Sequence, residues 1–170
     1  MQISAPTEAR VLVVADWTID PHEVVAACAQ RRDGAVFVLT VPAWLHGLDW
    51  AGDPTASAPC ARRQLELVAA LATAAGVPVE LAGVGDPDPL SAIVDALDAD
   101  AHGATEILLL ARRRRFGGSR PWDLVHRVQR LTGLPVTRMA APPATGPSGR
   151  RGWAAWRGGG HCDAEARQAA

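Results

Sequence analysis

The densest chemistry in the chain is "LARRRRFGGSRPWD", residues 110 to 123, in which Arg112, Arg113, Arg114, Arg115 and Arg120 surround Gly117, Gly118 and Ser119. Each guanidinium can give a phosphate or carboxylate a bidentate, charge-assisted pair of hydrogen bonds. Glycine and serine ahead of a helix can leave backbone N–H groups open as an anion nest. Gly-Gly-Ser is also an ordinary turn, so the stretch reads either as a nest or as a solvated charge run. Trp122 adjoins it, and further tryptophans stand at Trp17, Trp44 and Trp50. Flat aromatic surface beside guanidinium groups suits a base joined to phosphates; the other use of such tryptophans is to cover the end of a small sheet.

Other reactive residue types carry less. Asp86 and Asp88 look like paired carboxylates, but Asp88 precedes Pro89 and an apolar helical run, the place of an N-cap, and Asp86 belongs to the turn. His46 and His126 have no cysteine or carboxylate at metal-ligand spacing. Cys28, Cys60 and Cys162 are far apart and odd in number, which points to reduced thiols rather than zinc or a disulfide framework. There is no nucleophile elbow and no Ser-His-Asp arrangement, so the sequence gives no positive argument for an enzyme.

The elements that must position these residues alternate. Aliphatic runs "RVLVVA" (10 to 15), "AVFVLTV" (35 to 41), "VPVELAG" (77 to 83), "TEILLLA" (105 to 111) and "LPVTRM" (134 to 139) are separated by Ala/Leu/Val segments of helical period. Several runs are apolar almost throughout, as strands of a parallel sheet covered on both faces are. Asp20-Pro21 and Asp88-Pro89 read as helix starts, and Gly34, Gly76, Gly103 and Gly133 stand just ahead of strands, where helix C-termini need positive φ. The pattern is βα four times, closed by a fifth strand. With right-handed crossovers this gives an α/β fold with a doubly wound parallel sheet. Residues 1 to 8 read as an N-terminal extension, 9 to 141 as one domain, and the Pro/Gly/Ala-rich stretch 142 to 170 as a disordered tail.

In such a sheet ligands bind beyond the carboxyl ends of the strands, where strand order reverses. That edge would gather Asp16 after the first strand, Val41 and Trp44 at the end of the second, Gly85 after the third and Arg112, Arg115, Gly117, Gly118 and Ser119 after the fourth. Charge is sorted along the chain although the formal net charge is only -1. Residues 112 to 138 carry eight arginines and one acid, Asp123, whereas residues 80 to 106 carry seven acids and no arginine. The neutral total and the lack of a recognised binding module argue against nucleic acid as a partner. No apolar run approaches a membrane span and "MQISAPTEAR" lacks signal-peptide features, which sets the expectation of a cytoplasmic protein with no membrane partner.

At this point the chain resembles the universal stress protein family. The resemblance covers residues 9 to about 140 and rests on "VLVVAD", "GDPDPL", "HGLDWAGD" and "RLTGLPVT", closest to short actinobacterial members. It implies strand order 3-2-1-4-5, a homodimer through the last strand (134 to 139), and in some members ATP or another adenine nucleotide as ligand. In binders the Asp after the first strand and the backbone closing the second lie near the nucleoside; Asp16 and Val41 match. The family's triphosphate loop, G-x-x-G, nine residues, then Gly-Ser or Gly-Thr, is not kept. Its last pair falls on Trp122-Asp123 and its first two glycines near Ala111 and Arg114. Bulky side chains block close backbone approach to phosphate. The expected function is therefore a stress-response or regulatory module with an altered pocket for a small anionic ligand, or a structural or protein-interaction domain of the same fold that binds no nucleotide.

Overall fold

The computed structural model describes residues 9–31, 34–45, 57–100, 103–111 and 121–140. The chain runs β1 (Arg10–Ala15), α1 (Pro21–Ala29), β2 (Val36–Pro42), α2 (Ala58–Ala75), β3 (Val79–Gly85), α3 (Pro89–Ala99), β4 (Glu106–Ala111), α4 (Pro121–Thr132) and β5 (Val136–Ala140). All neighbouring strands pair in parallel, in the order β3-β2-β1-β4-β5. The alternation and the doubly wound sheet are thus as the sequence reads. The extension at 1–8, the tail at 142–170 and Arg112 to Arg120 lie outside the described residues.

Strand alternation sorts the core into two layers. Val11, Val13 and Ala15 of β1, with Phe37, Leu39 and Val41 of β2 and Leu108 and Leu110 of β4, pack with Val24 and Cys28 of α1 and Leu65, Val68 and Ala72 of α2. Leu12 and Val14, with Val38, Ile107 and Leu109, pack with Ile93 and Ala96 of α3 and Val128 of α4. The central strand β1 is buried from end to end because it serves both layers.

Two strands begin later than their apolar runs. Val77 donates its N–H to the carbonyl of Ala72 at 2.9 Å, closing α2 after left-handed Gly76, so it still belongs to the helix end. Pro78 has no N–H to give, and β3 starts at Val79. Likewise Leu134 donates to Thr132 Oγ1 at 3.2 Å and β5 starts beyond Pro135. Within β3 the pairing jumps from Leu39↔Leu81 to Thr40↔Gly83, so Ala82 is an extra residue and Gly83 takes φ 113. The cysteines correct one expectation: Cys28 is a buried free thiol, with its pKa pushed up to about 11 by burial, whereas Cys60 is disulfide-bonded.

Candidate functional site

At the carboxyl end of the sheet the order reverses between β1 and β4, and Asp16 stands there. Its N–H donates to the carbonyl of Leu110 at 3.0 Å, so β1 and β4 stay paired until the chain leaves β4 after Ala111. The Asp16 carboxylate is buried, and its Oδ1 accepts from the backbone N–H of Thr18 at 3.0 Å and from Thr18 Oγ1 at 2.9 Å. Residues of this kind fold their own turn. Ile19 donates back to the Asp16 carbonyl at 3.0 Å, and the buried amide of Gln64 on α2 donates to Ile19 O at 2.8 Å.

The neighbouring strand ends are fastened in the same manner. Trp17 Nε1–H donates to the carbonyl of Trp44 at 2.7 Å, and the Trp17 ring packs on the α1/α2 core layer. Both tryptophans are half-buried, so this pair ties the β1 and β2 loops together as a cover. Val41 contributes a fully buried side chain to that core and registers with Val84. Ala43 N–H donates to Gly85 O at 3.0 Å. A Cβ on Gly85 would stand 2.5 Å from Ala92 Cβ, so glycine here lets α3 seat directly on β3.

Asp86 and Asp88 resolve as turn and cap: Asp86 Oδ1 accepts from Asp88 N at 2.7 Å, and Asp88 Oδ2 accepts from Ser91 N and Oγ at 3.1 Å. Asp20 caps α1 by accepting from His22 N at 2.8 Å. The structure therefore brings Asp16, Val41, Trp44 and Gly85 to one edge of the sheet, while Arg112, Arg115, Gly117, Gly118 and Ser119 lie outside the described residues. Among the described residues no group of three His, Cys, Asp or Glu could hold a metal, and no helix is long and apolar enough to cross a membrane.

The opposite end of the sheet holds a constellation that the sequence reading missed. Arg10, at the start of β1, donates through Nε and Nη2 to both Asp100 oxygens at 3.3 and 2.8 Å, and through Nη1 and Nη2 to both Glu80 oxygens at 3.4 and 2.6 Å. These bonds, Glu80's first, hold the Arg10 guanidinium above its ordinary pKa. Asp100 is 3% exposed and Glu80 57%. The three border a cavity of about 180 Å³, lined also by Val38, Leu81, Ala82, Ala96 and Ala99. On the other sheet face Arg31 and Thr137 both donate to Glu106 Oε1. Burial alone would raise the Glu106 pKa, but these hydrogen bonds and the Arg31 charge bring it below its usual value.

No family model matches the chain, and no curated protein matches it by sequence. Among solved structures it is similar to a protein of the universal stress protein family from Burkholderia pseudomallei, at 20% identity and TM-score 0.52, over 81% of this chain and 100% of that one. The two share the fold, a five-stranded parallel sheet of order 3-2-1-4-5 with helices on both faces.

Proposed function

We propose that the chain is a universal-stress-protein-like regulatory module that takes a small anionic ligand, an adenine nucleotide being the first candidate, at the carboxyl edge of its sheet. One observation carries this reading: Asp16 is locked against Leu110 at the strand-order reversal, and the arginine- and glycine-rich stretch follows one residue after that point of contact. The proposed site comprises Asp16, Val41, Trp44, Gly85, Arg112, Arg115, Gly117, Gly118 and Ser119. Arginine side chains replace the glycine backbone contacts that the phosphate loop of the family would supply. Association as a homodimer through the edge strand β5 and a cytoplasmic location belong to the same reading.

Titration calorimetry with ATP, ADP, AMP and cyclic AMP tests it. Heat with at least one, abolished by Arg115→Ala combined with Gly118→Trp, supports the pocket; no heat with any at millimolar ligand overturns it. A second reading, an interaction domain without nucleotide, is favoured by how fully the edge satisfies itself. Asp16, Asp86 and Asp88 fold their own turns, the Trp17 indole is held by Trp44, and Ala92 fills the space before Gly85.

A further inference from the structure

Among the described residues, acids and arginines gather on two different surfaces. β3 and β5 are the two edges of the sheet, four strand spacings or roughly 19 Å apart. Beside β3, the groove of about 180 Å³ between β3 and α3 has apolar walls of Val38, Ala82, Ala96 and Ala99 and carries the carboxylates of Glu80 and Asp100 around Arg10. Asp95, exposed, stands one turn before Ala99 on the same helix face and adds a further negative charge at the rim. On the same face of the sheet, beside α3, α4 carries Leu131, 58% exposed, between Arg127 one turn earlier and Arg130, both exposed.

We propose that this chain associates head to tail with further copies of itself, Leu131 of one copy entering the β3–α3 groove of the next while Arg127 and Arg130 face Asp95 and Glu80. The volume selects the occupant: about 180 Å³ is below the ~300 Å³ where pockets for organic ligands begin, and suits one aliphatic side chain. Charge selects the partner, because an apolar residue set between exposed arginines is what an acid-rimmed apolar groove complements, and α4 supplies one. Leu131 is 58% exposed, so it does not fill the groove of its own chain. Since the patches differ, the contact is heterologous and continues from copy to copy until a ring closes. It is independent of the anion-pocket reading and leaves the outer edge of β5 uncovered.

Sedimentation velocity on the full chain across a concentration series tests the proposal, with circular dichroism on each variant to confirm folding. The average mass is expected to rise past two chains with concentration and to fall with added salt, as ion pairs at a rim are screened. Asp95→Arg and Arg130→Asp, both at exposed positions, should each weaken association at least about tenfold, a loss of 1.4 kcal/mol. The double variant, carrying both reversals, should regain it. A mass that saturates at two chains and ignores both single reversals overturns the head-to-tail contact while leaving pairing through β5 intact. A monomer at every concentration overturns both.

Discussion

The two ends of the sheet use their carboxylates in opposite ways. At the end where strands finish, Asp16, Asp20, Asp86 and Asp88 accept from backbone N–H groups two or three residues away and shape the loops that carry them. At the end where strands begin, Asp100, Glu80 and Glu106 accept from arginines 70 to 90 positions distant in the sequence, tying β1 to β3 and α3, and α1 to β4. Local acids give shape and remote acids give cohesion. On the proposed anion reading, the described carboxylates at that end are already committed to loops, and the attraction would fall to the arginines of residues 112 to 115.

The largest expected effect is at the lower end. Arg10→Met takes the Arg10 guanidinium away from buried Asp100, and breaking a buried pair costs about 3–5 kcal/mol; urea unfolding should show it, and a loss under about 1 kcal/mol would erase the contrast between the ends. At the upper end Gly85→Val drives a side chain into Ala92 and should cost about 1–3 kcal/mol, with Gly85→Ala combined with Ala92→Gly recovering part of the loss in thermal melts. Asp88→Ala removes the cap of α3 and should cost about 1 kcal/mol, read by the same melts, with Asp88→Ser nearly silent.

The smallest effect depends on pH. Because the folded-state pKa of Glu106 is lowered, its contribution is complete above its ordinary value near 4.5 and is lost as pH falls through the lower folded value. Both partners are more than a quarter exposed, so the difference between the wild type and Glu106→Gln should stay within about 1 kcal/mol at neutral pH. Stability measured from pH 7 to pH 3 should show that difference shrinking; a difference that grows toward acid would contradict the sign.

What was legible in the sequence was what neighbours decide. Asp20-Pro21 and Asp88-Pro89 start helices, Gly76 ends one, and continuous apolar runs mark the strands of a sheet covered on both faces. Asp86 and Asp88 were legible as turn and cap because their partners lie within three residues. The Arg10 cluster was not, since Asp100 reaches Arg10 only once α3 has packed across β1 and β2, and nothing in "RVLVVA" marks its first residue as paired. The start of β3 was misplaced by two residues for a related reason: hydrophobicity counts Val77 as strand, while its N–H is spent on the preceding helix.

The extra residue in β3 gives that strand a change of phase. Val79 and Leu81 register with Phe37 and Leu39, and a strict count of two would turn Val84 to the opposite layer. With Ala82 inserted, Val84 registers with Val41 and packs on the α1/α2 side, and Gly85 meets α3. The bulge therefore absorbs one residue of length, so that Val79 before it and Val84 after it serve the same face of the sheet. Deleting Ala82 would leave a strand that alternates without a break, with Gly83, Val84 and Gly85 keeping both their partners on β2 and their faces; it is straightening the bulge with Ala82 still present that would move every group beyond it, the approach to α3 included, to the other side of the sheet.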